Sequence, residues 1–493
     1  MQVEQHQIFS AQAQEQKRSE GAGTPLRGEI LTGDNFPLAL SKNTASIYAS
    51  PRRIKDPQNT AEILADLLNL DYDLIFSRLN KADDPYEPIL NKASDEEARA
   101  VAIKEIEGIK ISYAGKRYYP NAGMASHLLG YVDQGGKGRY GIEGFYEEEL
   151  QKGKALTLTI DYLLQHKAEE ELAALTLKYR AQSGSIIILD PQTGEIKALA
   201  SWPNFDPNNY QEEKDISVFL NPIINSQFEP GSIVKVLTIA AGLDSGAIKL
   251  EDSYYDQGVR EISGYEVHNF DKKSYGHQTI SQIIEKSLNL GAIFISEQMP
   301  KKEFKDYLKD FGLGQKTGIK LYGELPGNLD SLSLEVDINY ATAAFGQGIS
   351  ATPLQMAMAI STLANDGYLL APRIFSNEEK AVKRQVVSSF TARALTQMMS
   401  RAFKSYPGAE VLSQYNIAAK TGTAQVANQG GYSEDQWIHS LVGFAPVEDP
   451  RFLIFLKLDQ PREVKYAATS LTPSFIDLSG FLLQYYKVAP RPE

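Results

Sequence analysis

Apolar residues recur at helical spacing over "NTAEILADLLNLDYDLIFSRLN" (59–80) and again over "SDEEARAVAIKEI" (94–106), with the turn-rich connector "KADDPYEP" between them. The next segment, "IKISYAGKRYYP" (109–120), alternates like two strands around a turn at Ala114-Gly115. "DQGGKGRYG" (133–141) is a flexible loop by composition. The opening "MQVEQHQIFSAQAQEQKR" is polar and glutamine-rich, and is expected to be helical. S-x-N occurs here as "SKN" (41–43), in a polar stretch that reads as a turn.

The pattern changes near residue 150. "ALTLTI" (155–160) predicts a strand and "DYLLQHKAEEELAALTLKYR" (161–180) a helix. "SGSIIILDPQTGEIKALASW" (183–202) predicts a hairpin, its two apolar strands joined by a Pro- and Gly-containing turn at 190–194. Near the C-terminus "LVGFAPV" and "RFLIFLKLD" form a second apolar strand pair, and "TPSFIDLSGFLLQYY" (472–486) a closing helix. Strands at both ends with helices between them predict an α+β domain whose terminal strands share one antiparallel sheet. Residues 1–150 are therefore read as a separate non-catalytic module and 151–493 as the chemical one.

Composition narrows the chemistry. A formal net charge of −12 disfavours nucleic acid, whose phosphates require a basic face. With no cysteine, disulfides, thiol catalysis and thiolate metal sites are excluded. The 6 histidines show no H-E-x-x-H pairing and no G-x-S-x-G elbow occurs, so neither a zinc hydrolase nor an α/β-hydrolase is supported. No apolar run reaches the roughly 18 residues that a membrane span needs.

Three short motifs remain. "QFEPGSIVKVLTIAAGL" (227–243) places Ser232 and Lys235 at S-x-x-K spacing, one turn apart on one face of a helix start. A serine hydroxyl needs a base within reach, and a lysine serves only if its pKa is lowered. Ile233, Val234, Val236 and Leu237 supply apolar neighbours that disfavour the ammonium form. "SLN" (287–289) follows "TISQIIEK", whose Ile280, Ile283 and Ile284 share one face, and Asn289 and Gly291 are expected to end that helix. K-T-G occurs twice. In "PKKEFKDYLKDFGLGQKTGIKL" Phe304, Tyr307, Leu308 and Phe311 form an apolar stripe that Gly312 and Gly314 terminate, leaving Lys316 in a solvated exit loop. In "YNIAAKTGTAQVA" the flanks are apolar and extended, so Lys420, Thr421 and Gly422 belong to a strand along which a peptide can lie. Alone, each motif is more commonly a cap or a turn.

The ordered set Ser232-x-x-Lys235, Ser287-x-Asn289, Lys420-Thr421-Gly422 resembles the signature of the penicillin-recognising serine acyltransferases and β-lactamases. "GSIIILDPQTGEIKALASWPNFDPN", "FGQGISATPLQMAMAISTLANDG" and "HSLVGFAPVEDPRF" resemble the transpeptidase domain of class B penicillin-binding proteins. "LRGEILTGDNFPLAL" and "GIEGFYEEELQKGKALTLTIDYLLQ" resemble that class's non-catalytic pedestal. The resemblance implies a peptidoglycan D,D-transpeptidase: Ser232 as nucleophile, Lys235 as the favoured base, Ser287 as proton relay and Asn289 holding the donor peptide. Lys420 would supply positive potential, Thr421 and Thr423 would bind the terminal carboxylate, and the N–H groups of Ser232 and Thr423 would form the oxyanion hole. It calls for no metal or cofactor. It implies stem peptides and β-lactams as ligands, and a membrane glycosyltransferase with division or elongation proteins as partners. The expected location is the outer face of the bacterial plasma membrane, with the family's usual N-terminal anchor absent from this chain. A D,D-carboxypeptidase, a β-lactamase, and a β-lactam sensor or scaffold without turnover are the alternatives.

Overall fold

The computed structural model describes residues 26–428 and 431–491, so the glutamine-rich opening lies outside the described residues. The N-terminal part runs, in chain order, through β1 (Pro37–Ala49), α1 (Pro57–Leu68), α2 (Tyr72–Leu79), β2 (Glu87–Ala93), α3 (Asp95–Ile103) and β3 (Ile109–Tyr118). The single helical pattern of 59–80 is two helices. Asn69 caps the first in a left-handed conformation (φ 49°), and the Asp71 carboxylate accepts the Leu74 N–H to start the second. α3 begins with a reciprocal cap between Ser94 and Glu97.

Two sequence expectations fail here for one reason. Residues 109–118 form one continuous strand rather than a pair, because β1 pairs with it across the expected turn, Thr44 opposite Ala114 and Asn43 opposite Gly115. Gly115 makes room for the Leu26 side chain instead of turning the chain. Ser41–Asn43, expected as a turn, lies inside the same β1. The glycine-rich 133–141 segment is likewise ordered: the Asp133 carboxylate accepts the N–H groups of Gly135 and Lys137, closing a hairpin between Tyr131–Val132 and Gly138–Arg139.

A buried carboxylate ties the base of this module together. Glu143, fully buried, accepts hydrogen bonds from Arg27 and Arg117 at 2.6 Å each and from the Tyr119 hydroxyl at 3.2 Å. Just beyond Arg27, Ile30–Leu31 pairs antiparallel with β1 and parallel with Leu156–Thr157. The two parts of the chain therefore share a seam, and one apolar core runs through it from Ile30, Leu38 and Leu150 to Leu156 and Ile187.

The second part contains α4 (Tyr162–Lys178), β4 (Ser183–Leu189), β5 (Ile196–Trp202), α5 (Val234–Asp244), α6 (Ile280–Glu285), α7 (Asn289–Glu297), α8 (Ser389–Phe403), β6 (Ala418–Asn428), β7 (Gly431–Ala445), β8 (Phe452–Asp459) and α9 (Thr472–Tyr485). The strands form one antiparallel sheet in the order β6-β7-β8-β4-β5, so the 183–202 hairpin and the C-terminal strand pair do share a sheet, while the strand expected at 155–160 joins the N-terminal one. Alternate residues feed two cores. Ile186, Leu441 and Leu456 pack with residues of α4 and α9, while Ile187, Val442 and Phe455 pack with those of α5 and α7. β6 is an edge strand of this sheet. Among the described residues no helix is long and apolar enough to cross a membrane.

Removing the Glu143 carboxylate tests the seam. Glu143→Ala leaves the enclosed Arg117 guanidinium without its anion and Arg27 with Glu147 alone, and breaking a buried pair in this way typically costs on the order of 3–5 kcal/mol. The urea midpoint of the intact chain should drop accordingly, and Glu143→Gln should lose less. An unchanged midpoint in the alanine variant would contradict this account of the seam.

Candidate active site

The loop before α5 is shaped by glycine. Gly231 has φ 61°, and its N–H donates to Gly346 O at 3.0 Å. A Cβ on Gly346 would run into the Gly231 backbone. This turn delivers Ser232, half-buried, into the short helical turn Gly231–Ile233 that leads into α5. The first N–H groups of such a segment have no helical acceptor, so the Ser232 N–H is a spare donor. Three residues on, Lys235 points into the interior and is fully buried.

Lys235 meets the S-x-N segment there. Its Nζ donates to Ser287 O at 2.5 Å and to Ser287 Oγ at 3.2 Å. Ser287 sits in a left-handed conformation (φ 55°) in the short link between α6 and α7. Asn289 and Gly291, expected to end a helix, instead open α7; the preceding helix has already ended at Lys286. The reversal follows from Ser287, whose backbone turns the chain out of α6. Asn289 Nδ2 donates to His268 O at 2.8 Å.

The third motif closes the arrangement. Lys420, 1% exposed, donates to Ser287 Oγ at 3.0 Å and to Thr421 O at 2.8 Å. One serine hydroxyl thus lies between two buried lysines, contributed by a helix start and a strand. Gly422 is bare for a reason: a Cβ there would collide with Ser440 Oγ and press on Pro230 O and Ile233. The loop carrying Ser232 docks against the strand only because that side chain is missing. Thr421 and Thr423 lie on the other strand face. Thr421 N–H donates to the Tyr406 hydroxyl at 3.1 Å, and Thr423 Oγ1 accepts from Ala467 N–H at 3.1 Å, leaving its own proton to donate. Because Thr421 N–H points away from β7, the same alternation turns the Thr423 N–H to the open edge.

Burial pushes Lys235 well below the usual lysine range, and the charge of Lys420 lowers it further. Burial brings Lys420 down to about 7. Near neutrality the pair therefore holds a basic amine next to a titrating one, coupled through Ser287. The second K-T-G copy has none of this. Lys316 is exposed, and Thr317 is turned toward the Glu324 carboxylate, which accepts its N–H at 2.5 Å.

Sequence reasoning missed Tyr406, which occupies the outward N–H of Thr421 on β6, and it missed the Asp256, His268 and Asn269 group behind Asn289. Neither carries a spacing signal, since each is far in sequence from the motif it supports.

A helical lobe on a five-stranded antiparallel sheet, with a serine one turn before a buried lysine and S-x-N and K-T-G converging on that lysine, defines the class of penicillin-recognising proteins. Comparison with known proteins gives the family. The model of the penicillin-binding protein transpeptidase domain matches residues 184–478, and that of the penicillin-binding protein dimerisation domain matches residues 22–159. Stage V sporulation protein D of Bacillus subtilis is 30% identical, with 95% of this chain and 79% of that protein aligned. Peptidoglycan D,D-transpeptidase FtsI of Escherichia coli is 28% identical over 94% of this chain and 84% of its own. The crystal structure of penicillin-binding protein 3 from Mycobacterium tuberculosis, complexed with aztreonam, superposes with a TM-score of 0.73 at 25% identity, covering 95% of this chain and 98% of that one. The chain belongs to the class B penicillin-binding protein transpeptidase family.

The buried lysines set a pH dependence of stability. Lys420 titrates at about 7 when folded, against ~10.4 in an unfolded chain. Below the folded value both states are protonated and the full cost of burying the charge is felt. Between the two values the unfolded state binds more protons, so stability rises with pH. The stability of the wild type relative to Lys420→Met should climb by about 1.4 kcal/mol per pH unit through this window. Denaturant titrations at pH 7, 8 and 9 measure it; a difference independent of pH would mean that Lys420 keeps its proton in the fold.

Proposed function

We propose that this chain is a serine-type peptidoglycan D,D-transpeptidase that is acylated by β-lactams. The observation that carries the reading is the single hydroxyl of Ser287 held between the buried Lys235 and Lys420, beside a helix-start serine and an open strand edge. Lys235, kept neutral by burial, takes the Ser232 proton as Oγ attacks the carbonyl between the last two D-alanines of a stem peptide. The negative charge on the carbonyl oxygen is met by the N–H groups of Ser232 and Thr423, where one donor is typically worth about 3–4 kcal/mol. The C–N bond breaks, the proton passes through Ser287 to the leaving amine, and D-alanine departs. The amine of a second stem then attacks the acyl-enzyme, forming the cross-link and returning the proton to Ser232.

Substrate binding uses the remaining residues. The donor lies along the outer edge of β6, with Asn289 holding its amide and the Lys420 charge, Thr421 and Thr423 receiving the terminal carboxylate. Gly422 keeps that edge close to Ser232. Residues 1–150 serve as a non-catalytic pedestal and 151–493 as the catalytic domain. We place the protein at the outer face of the bacterial plasma membrane, working beside a membrane glycosyltransferase and the division or elongation machinery.

Mass spectrometry after incubation with benzylpenicillin should find one long-lived adduct on Ser232, absent in Ser232→Ala. Rapid loss of the adduct by hydrolysis would favour a β-lactamase, and no adduct a scaffold. With D-alanyl-D-alanine peptides, release of D-alanine without amine capture would favour a carboxypeptidase. Lys420→Ala should slow acylation by orders of magnitude, whereas Lys316→Ala should stay within about twofold, since a solvated surface charge contributes little.

The pH profile separates the two lysines. The second-order acylation rate should fall in acid, as Lys235 gains a proton, and fall above about 7 as Lys420 loses one. Lys235→Arg should fail nearly as badly as Lys235→Ala, because arginine does not deprotonate. An active arginine variant with a flat profile would remove Lys235 as the base.

A further inference from the structure

Asn289 is gripped by a group of residues that the reaction itself does not use. Asp256 ends the strand Ser253–Asp256, is fully buried and, among the described residues, has no cationic partner. Its carboxylate instead accepts hydrogen bonds from the Tyr254 hydroxyl at 2.7 Å, the Gly258 N–H at 2.9 Å and Asn269 Nδ2 at 2.9 Å to both oxygens. Asn269 is nearly as buried, and its Nδ2 also reaches Lys273 O at 3.1 Å.

Charge fixes the orientation of this amide. An ionised carboxylate only accepts, so the Asn269 NH2 group must face Asp256 and the carbonyl must face away. That carbonyl, Oδ1, accepts the Leu290 N–H at 3.3 Å. The N–H belongs to the first turn of α7, where no helical acceptor exists. The preceding residue does the same for the preceding position: His268 O accepts Asn289 Nδ2 at 2.8 Å. Two consecutive residues, 268 and 269, thus clamp two consecutive residues, 289 and 290. Tyr254 completes the fit, since a Cβ on Gly291 would press on its hydroxyl.

We propose that Asn269, oriented by Asp256, is a positioning residue that sets the aim of Asn289 and so determines how well the site recognises the amide carbonyl of its donor. This rests on the reading of Asn289 as the group that holds the donor amide. With the clamp in place one Nδ2 proton is spent on His268 O, and the second is held at a fixed angle for a ligand carbonyl. Without it the amide of Asn289 can rotate, while Ser287 keeps its hydrogen bonds to Lys235 and Lys420. The loss should therefore fall on ligands that have an acylamido carbonyl and spare those that lack one.

The test compares acylation by benzylpenicillin with acylation by 6-aminopenicillanic acid, which has the same β-lactam and carboxylate but no acyl side chain. Asn289→Ala should lower the ratio of the two rate constants at least tenfold. Asn269→Ala should lower it by a similar factor, and the double variant should lower it no further than either single one. Asp256→Asn, which keeps the volume but no longer dictates the orientation of Asn269, should give an intermediate ratio and covers the case of an alanine variant that does not fold. A purely structural role predicts that both rates drop together; an unchanged ratio in Asn269→Ala or Asp256→Asn, with Asn289→Ala responding, would overturn the clamp alone. An unchanged ratio in Asn289→Ala would overturn the role given to Asn289 and the clamp with it.

Discussion

Two buried lysine amines sharing one serine hydroxyl is the condition that the rest of this molecule serves. Lys235 and Lys420 are both essentially without solvent contact, and Ser287 Oγ is the atom that both reach. Two protonated amines so placed would repel in a medium that screens poorly, so at least one must shed its proton near neutrality. Keeping them there requires three distant stretches of chain to converge and stay. α5 brings Lys235 in on an apolar helix, the turn after α6 brings Ser287, and β6 brings Lys420 from the sheet. The two cores on either face of that sheet supply the burial that offsets the cost.

That requirement also explains which parts of the structure were legible in the sequence. Apolar periodicity gave α4, the β4–β5 hairpin, the β7–β8 pair and α9, because each is specified by its own residues. The three motifs were legible as a set because their order and flanks are local facts. The split of 59–80 at Asn69 was readable in principle from an Asn and an Asp placed two residues apart, but propensity alone favoured one helix. β3 was misread as a hairpin because its continuity depends on β1, more than sixty residues earlier, filling the ladder opposite Ala114 and Gly115. Tyr406 and the Asp256–Asn269 pair were out of reach for the same reason. A hydrogen bond across the fold leaves no periodicity behind.

The duplicated tripeptide makes the point with chemistry held constant. Lys316-Thr317-Gly318 and Lys420-Thr421-Gly422 carry the same donors and acceptors, yet their environments are opposite. In the first, Gly318 turns the chain with φ 84°, the lysine faces solvent and the threonine is buried against Glu324. In the second, the glycine lies within a strand, the lysine is buried and the threonine faces outward beside Tyr406. A helix-stopping Gly-x-Gly before one copy and apolar, extended flanks around the other are enough to invert burial. The motif has chemical meaning only where the neighbours desolvate the amine.

The edge of β6 poses the remaining problem, because an exposed strand edge invites unwanted pairing. Here the edge is neither covered nor charged along its length. Tyr406 takes the Thr421 N–H, and the side chain of Lys420 curls back onto the Thr421 carbonyl, so both outward backbone groups of that residue are already occupied. The next outward residue, Thr423, lies where the Gly231 turn approaches its carbonyl. The edge is thus blocked at Thr421 and flanked by the Ser232 loop at Thr423, so it is guarded by its neighbours rather than by charge. The groups that protect this edge from other strands thus come from Tyr406 and from the same segment that carries the buried lysine.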